Sequence, residues 1–139
     1  MVADTAMSQA TLAFRQVPGS FAVCRLVPGA QLPDWFKPGA FASVSWSSDE
    51  VSITCLASRV PDDVHCERDW RCLMLQGPFA FDLTGILLEV LQPLAAAGIG
   101  IFAVSTFDTD YVLVKAHAFE AAKHALVESG LRIIDETRP

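Results

Sequence analysis

An apolar stretch from Gly85 to Val104 constrains the fold of this chain more than any other feature. Its first part repeats apolar residues at spacings of three and four, which predicts a helix with one buried face. From Ile99 onward both faces of the predicted strand are apolar, a pattern typical of a central strand. Glu89 and Pro93 near the middle make the stretch a poor membrane span. We therefore expect a buried helix followed by a central strand.

The elements around this stretch complete a split βαβ arrangement. Strands are predicted over 67–76, 99–107, 111–114 and 131–134, and helices over 82–97 and 118–129. The resulting order, strand–helix–strand–strand–helix–strand, predicts two helices on one face of an antiparallel sheet. Asp82 is expected to cap the first helix, and Gly98 and Gly130 are expected to end the two helices.

The first half of the chain resembles the same unit with its helices shortened. Strands are predicted over 12–18, as a short edge strand, and over 21–27, 41–46 and 51–56. Prolines at both ends of Leu32–Gly39 leave room for one helical turn at most, and the polar turn Ser47–Glu50 predicts a β-hairpin. We therefore predict an α+β chain of two tandem units. The proposed bounds are 12–68 and 69–135, with tails at 1–11 and 136–139.

Composition limits the partners that the chain can have. Its 139 residues are 52% hydrophobic, and ten Lys+Arg against sixteen Asp+Glu give a net charge of −6. So few cations argue against nucleic acid and against an anionic membrane surface as partners. The N-terminus has no basic start followed by an apolar run, so no secretory signal is predicted. The four cysteines form no Cys-x-x-Cys pair and are expected to be reduced, in a cytoplasmic protein.

Two polar edges flank the apolar stretch and predict a site for a small ligand. The loop Gly77–Gly85 precedes the helix, and the segment Ser105–Asp110 follows the strand. The amides at a helix start favour a carboxylate, and the two glycines that bound the loop allow close approach of a ligand. In the second segment the Asp110 carboxylate can accept an ammonium or guanidinium, with the Thr106 hydroxyl and the Phe107 ring beside it.

Each of these residues also has a purely structural interpretation. Asp82 can be a helix cap alone, Gly77-Pro78 a turn, and Asp110 a hairpin residue. Other kinds of site have weaker support. His65, Cys66 and Cys72 match no structural zinc spacing, so no metal or cofactor is predicted. No phosphate-binding motif and no catalytic arrangement are visible.

Three runs resemble the ACT domain family: Phe81–Ile86, Pro93–Ala95, and Ser105–Asp110 with the strand Tyr111–Val114. Within that family the chain looks most like small bacterial tandem-ACT proteins related to the eukaryotic cytosolic arginine sensor. The resemblance implies βαββαβ, ferredoxin-like units that pair and bind an amino acid at their interface. The resemblance and the loop before the helix together predict nine ligand-binding residues. They are Gly77, Phe81, Asp82, Leu83, Thr84, Gly85, Thr106, Phe107 and Asp110. The arginine sensor has a glutamate where this chain has Leu83, so the resemblance does not imply arginine as the ligand.

These observations predict a non-catalytic regulatory protein rather than an enzyme. We expect it to act as a cytoplasmic homodimer that holds a free amino acid between paired ACT units and signals to a downstream protein. An alternative is a protein interaction or dimerisation module without a small ligand. A small enzyme with an unrecognised site is the third alternative.

Overall fold

The computed structural model describes residues 12–76 and 85–134. The strands in these residues are β1 (Ala13–Leu26), β2 (Ser43–Trp46), β3 (Val51–Leu56), β4 (Cys66–Leu75), β5 (Phe102–Ser105), β6 (Asp110–Lys115) and β7 (Arg132–Ile133). The α-helices are α1 (Ile86–Ala96) and α2 (Phe119–Glu128), and short 3-10 turns lie at Ala57–Arg59 and Ala116–Ala118. The α+β class predicted from the sequence is confirmed. Neither of these α-helices is long and apolar enough to cross a membrane.

The described residues form two compact units. We call residues 17–71 the loop-covered unit, and residues 12–16 together with 72–134 the helix-covered unit. Strands β1 and β4 contribute residues to both units. This division lies close to the predicted boundary at 68/69. However, residues 12–16, which were assigned to the first unit, group with the second.

In the loop-covered unit, the strands lie in the order β2-β3-β1-β4. Strands β2 and β3 pair antiparallel with Trp46 opposite Val51, and the Ser47 amide donates to the Glu50 carbonyl at 3.0 Å, which confirms the predicted hairpin. Strand β3 also pairs antiparallel with β1. As expected, Val51, Ile53 and Cys55 are fully buried. Within this unit the only helical segment is a 3-10 turn, so the prediction of reduced helices is confirmed.

In the helix-covered unit, the order is β7-β1-β4-β6-β5, and β7 pairs parallel with β1 through Phe14 and Ile133. Two predictions about strand position are wrong here. The N-terminal strand is not a short edge strand, because it lies between β7 and β4 and buries Leu12, Ala13 and Phe14. The strand after the apolar helix is not central, because β5 lies at the end of this order and pairs with β6.

The two helices cover this unit's sheet through the faces predicted from the sequence. The buried helical residues are Ile86, Val90 and Leu94 in α1 and Phe119, Ala122 and Leu126 in α2. They form one apolar cluster with residues of β4 and β6 and with Leu12 and Phe14. Burial of this helical surface, rather than helix propensity, provides most of the stability of such short helices.

Both helices end as predicted at a glycine. Gly98 has φ +74° and Gly130 has φ +105°. In α1 the Ile99 amide donates to the Leu94 carbonyl at 3.0 Å, and the Gly98 amide donates to the Ala95 carbonyl at 3.0 Å. Corresponding bonds run from Leu131 and Gly130 to the end of α2. These paired bonds define Schellman motifs, which satisfy carbonyls that a helix end otherwise leaves without donors.

Candidate functional site

Four of the nine predicted ligand-binding residues belong to the described part of the chain: Gly85, Thr106, Phe107 and Asp110. The other five, Gly77, Phe81, Asp82, Leu83 and Thr84, lie outside the described residues. The four described residues occupy two places in the helix-covered unit, the start of α1 and the turn between β5 and β6. Both places were predicted as polar edges of the apolar stretch.

The β5–β6 turn is held by hydrogen bonds of its own polar side chains. Ser105 and Asp110 are paired across the two strands, and the Ser105 hydroxyl donates to Asp110 Oδ1 at 2.5 Å. The Thr106 amide and hydroxyl both donate to the Thr109 carbonyl, at 2.8 and 3.0 Å. Because one set of bonds joins Ser105 to Asp110 and the other joins Thr106 to Thr109, the turn is closed at its base and near its tip. Its side chains are therefore held in a fixed geometry.

Thr109 anchors this turn to the neighbouring strand. Its side chain is buried, and its hydroxyl donates to the carbonyl of Leu75, the last residue of β4, at 2.6 Å. The end of β4 and the β5–β6 turn therefore lie side by side. The predicted contact of this turn with the loop before α1 stays a prediction, because residues 77–84 lie outside the described residues. The sequence placed Thr109 in the turn but gave no sign of this role, because its partner lies 34 positions earlier in the chain.

The second place is the start of α1. Gly85 is the N-cap residue, with φ +82°, and the cap has no side-chain hydrogen bond among the described residues. The first intrahelical bond runs from the Glu89 amide to the Gly85 carbonyl at 3.0 Å, so the amides of 86–88 have no intrahelical acceptor. The expectation that Asp82 occupies the cap position is wrong, since the left-handed Gly85 begins the helix three residues later.

The helix start can accept an anion and the turn can accept a cation. A bare helix start provides amide donors for an anion. A Cβ added at Gly85 would meet no atom within 4 Å, so the approach over this residue is unobstructed by the described residues. On the turn, Asp110 is half-buried, and a carboxylate with one Ser105 bond retains further acceptor positions for a cation. Phe107 is 78% exposed and offers an apolar surface.

The cysteines and the metal alternative can be judged from burial and grouping. All four cysteines are free thiols, and burial raises the pKa of Cys72 to about 12. Burial, followed by the neighbouring Cys66, raises the pKa of Cys24 to about 12. Both are therefore protonated near neutral pH, and a protonated thiol is a poor nucleophile. No three His, Cys, Asp or Glu side chains of residues 12–76 and 85–134 are grouped to hold a metal ion.

Comparison with protein families and solved structures identifies relatives of both halves of the chain. The family model for the ACT domain matches residues 65–128. A separate model, for an N-terminal domain, matches residues 19–63. The ACT match covers β4, both helices, β5 and β6, and therefore includes every described residue of the candidate site.

Among solved structures, a protein from Agrobacterium tumefaciens is 41% identical, with a TM-score of 0.85 over 91% of this chain and 95% of its own. A protein of unknown function from Vibrio cholerae, titled a possible transport protein, is 16% identical. Its TM-score is 0.75, over 93% of this chain and 98% of its own. The regulatory subunit of aspartate kinase from Thermus thermophilus is 10% identical, with a TM-score of 0.53 over 86% of this chain and 95% of its own.

The match to the regulatory subunit shows a shared fold, and it confirms the ACT-like, ferredoxin-like architecture predicted from the sequence. The closer resemblance to relatives of the arginine sensor stays a prediction, as does the ACT-like character of the first predicted unit.

Proposed function

Because the chain belongs to the ACT domain family, we propose that it is a regulatory protein that binds a free amino acid between the start of α1 and the β5–β6 turn. Family membership supports a regulatory, ligand-binding role in general. The finer proposal rests on two features of the helix-covered unit: a helix start at Gly85 without a side-chain cap among the described residues, and an acidic turn at Asp110.

In this proposal the ligand carboxylate accepts hydrogen bonds from the free amides of the first turn of α1. Those amides carry the positive end of the helix dipole, and no described side chain competes for them. The left-handed Gly85 fixes where the helix begins. The predicted loop residues Gly77, Phe81, Asp82, Leu83 and Thr84 complete this side of the proposed site.

The ligand ammonium donates to Asp110 on the opposite side of the proposed site. The Ser105 hydroxyl and the Thr109 anchor hold the turn, so the carboxylate is preorganised before the ligand arrives. The Thr106 hydroxyl and the exposed Phe107 ring contribute a polar and an apolar contact. A zwitterion satisfies both ends of this site, whereas a simple carboxylate or amine satisfies only one.

We further propose that two copies of the chain pair and that ligand binding favours one arrangement of the pair, which a downstream protein recognises. Strand β5 supports this pairing, because among the described strands it is hydrogen-bonded only to β6 and leaves its other side open. The same open side favours the alternative function, an interaction module without a small ligand. Light scattering distinguishes a dimer from a 15.0 kDa monomer.

Thermal unfolding in the presence of each of the twenty amino acids tests the proposed function. A ligand at about 100 times its Kd stabilises the fold by roughly 2.7 kcal/mol, a rise in Tm on the order of 10 °C for a chain of this length. Asp110→Asn keeps the shape of the side chain and an acceptor for Ser105 but removes the charge. This variant is expected to lose most of the ligand-induced rise while keeping the Tm of the free protein within a few degrees.

Asp108→Asn is the matched control, because Asp108 is an exposed residue of the same turn and is not assigned to the site. It is expected to respond to the ligand as the wild type does. The proposal is wrong if no amino acid raises the Tm, and the interaction module then becomes the better function. An equal loss of response in both variants would show that only the overall charge of the turn matters.

A further inference from the structure

Three of the four cysteines lie together in the loop-covered unit. Cys24 and Cys55 belong to one buried apolar cluster, and Cys66 packs against that cluster. All three are free thiols, and none of them belongs to the amino-acid site proposed above. The described residues contain no group of His, Cys, Asp and Glu that could hold a metal ion, so the chemistry open to these cysteines is that of the thiols themselves.

The two strands that carry Cys24 and Cys66, β1 and β4, are neighbours in the sheet and run antiparallel. Near the end of β1, the Arg25 amide donates at 3.0 Å to the carbonyl of His65, which directly precedes β4. At the other end, the amide of Gln76, which directly follows β4, donates at 2.8 Å to the carbonyl of Ala13, the first residue of β1. The start of one strand therefore faces the end of the other, which is the antiparallel arrangement.

This register makes Cys24 and Cys66 direct cross-strand neighbours. Cys24 precedes Arg25 and Cys66 follows His65, and the two cysteines are hydrogen-bonded to each other through their thiols. Because the ladder bond is made by the Arg25 pair, the cysteine pair beside it is of the non-hydrogen-bonded kind, with Cα atoms about 4.5 Å apart. A disulfide spans Cα distances of about 4.4–6.8 Å, so these two thiols can be joined with little movement of the backbone.

Cys55 belongs to the same cluster but is not placed for such a bond. It is paired with Ala22, whereas Cys24 is paired with Ile53, so Cys55 and Cys24 are diagonal neighbours on β3 and β1. Diagonal neighbours are about 7–8 Å apart, which is beyond the reach of a disulfide. Cys55 is also separated from Cys66 by the whole of β1, which lies between β3 and β4. The sheet therefore favours one cysteine pair out of three.

The two thiols of this pair differ in their access to solvent. Cys66 is half-buried, whereas Cys24 is only 1% exposed, so a reagent in solution reaches Cys66 first. Burial, followed by the neighbouring Cys66, raises the pKa of Cys24 to about 12, so the Cys24 thiol is protonated near neutral pH and slow to react with a reagent by itself. Its contact with Cys66 makes its attack on any adduct at Cys66 an intramolecular step, which proximity accelerates.

We propose that Cys66 and Cys24 form a site of reversible thiol oxidation, with a low-molecular-weight disulfide as the oxidant. Cys66 Sγ, as the thiolate, attacks one sulfur of the small disulfide, whose S–S bond breaks and releases one small thiol. Cys24 then loses its proton and attacks Cys66 Sγ, and the second small thiol leaves. The protein gives up two electrons and two protons, and the small disulfide gains both. The resulting bond joins β1 to β4, and a dithiol reductant reverses it.

Incubation of the folded full-length chain with glutathione disulfide, followed by alkylation of the remaining thiols and tryptic peptide mapping, tests this proposal. Trypsin places each cysteine in a separate peptide: 16–25, 26–59, 60–68 and 72–115. We expect a disulfide between peptides 16–25 and 60–68, the loss of two of the four free thiols, and the return of both after dithiothreitol. Absence of this link, or an equal yield of links to peptide 26–59, would overturn the proposal.

Two variants separate the first step of the reaction from the second. Cys66→Ala changes the half-buried position and is expected to lose thiols at least about tenfold more slowly, because the three cysteines that remain are buried. Cys24→Ala is expected to stop at the mixed disulfide, so that one glutathione stays attached to Cys66. Oxidation of Cys66→Ala at the wild-type rate, or release of the adduct from Cys24→Ala as fast as from the wild type, would contradict the assigned order of attack.

Cys55→Ala is the matched control, because Cys55 lies in the same cluster but diagonal to Cys24. This variant is expected to form the link between peptides 16–25 and 60–68 in the wild-type yield. If it loses the link as Cys66→Ala does, Cys55 takes part in the oxidation and the assignment to the Cys24–Cys66 pair is wrong.

Discussion

The loop-covered unit and the helix-covered unit both protect apolar strands from solvent, but they use different backbone to do so. In the helix-covered unit the cover is α1 and α2, which bury six side chains in one cluster with the strands. Most amides and carbonyls of a helix bond within the helix. Schellman motifs at Gly98 and Gly130 satisfy carbonyls at the two ends. The helices therefore satisfy most of their own backbone groups, and apolar contact holds them on the sheet.

In the loop-covered unit the cover consists of loop segments. Trp35, Phe36 and Val60 pack with the strand residues there. The loop backbone has isolated turn bonds, such as the Val60 amide to the Ala57 carbonyl at 3.1 Å, in place of the continuous ladder of a helix. The Arg68 guanidinium adds to these turn bonds: it donates to the carbonyls of Ala57, Val60 and Pro61 at 3.1, 2.9 and 3.1 Å. The comparison shows that a loop can cover a sheet as a helix does when a side chain links successive carbonyls of the loop.

The largest effect that tests this comparison is expected in the helix cover. Leu94 in α1 is fully buried, so Leu94→Ala should lower the free energy of unfolding by about 2–5 kcal/mol through lost apolar contact and a cavity. Leu88 lies on the same helix and is 60% exposed, so Leu88→Ala should stay within about 0.5 kcal/mol. Urea unfolding measures both variants. Equal losses would mean that α1 does not stabilise the unit through its buried face.

A smaller loss of stability is expected from a change in the loops that cover the other unit. This loss comes from hydrogen bonds rather than from packing. Arg68→Met keeps most of the stem but removes the guanidinium from three carbonyls. We expect a loss of about 1.5–3 kcal/mol, the size typical of hydrogen bonds to a charged group. Arg59 is an exposed arginine of the same connector, and Arg59→Met should change the stability by less than about 0.5 kcal/mol. Urea unfolding that fails to separate the two variants would refute the donor role of Arg68.

The features that the sequence predicted well depend on neighbouring residues. The hairpin at Ser47–Glu50, the buried faces of both helices and their glycine ends follow from periodicity and turn chemistry over a few residues. The apolar residues at 99–104 wrongly predicted a central strand. Ile99 and Ile101 precede β5 and pack on the core of the helix-covered unit. Their pattern was therefore not that of a central strand.

The features that the sequence did not predict depend on contacts between residues far apart in the chain. Pro18 and Gly19 are typical of a turn, and they suggested that the first strand ends there. Instead β1 continues to Leu26, with Gly19 at φ +111°. An L-residue is strained at this φ, so the backbone conformation favours glycine here. A Cβ at Gly19 would also lie 2.5 Å from Leu56 Cδ2, which would have to move. The predicted ligand site stays a prediction, and nothing in the sequence indicates the Thr109–Leu75 bond that ties the β5–β6 turn to β4.

The smallest expected change in stability comes from the glycine at the C-terminal end of α1. Gly98 and Gly100 both have open space where a Cβ would be added, so neither substitution to alanine causes a clash among the described residues. They differ in backbone conformation, because only Gly98 has a positive φ. Gly98→Ala should therefore lower the free energy of unfolding by about 1–2 kcal/mol, since an L-residue is strained in the left-handed region.

Gly100→Ala should be neutral or stabilising by up to about 1 kcal/mol, because it restricts only the unfolded chain. Urea unfolding measures the difference in sign between the two variants. If both substitutions lower the stability equally, the left-handed cap is not what closes α1.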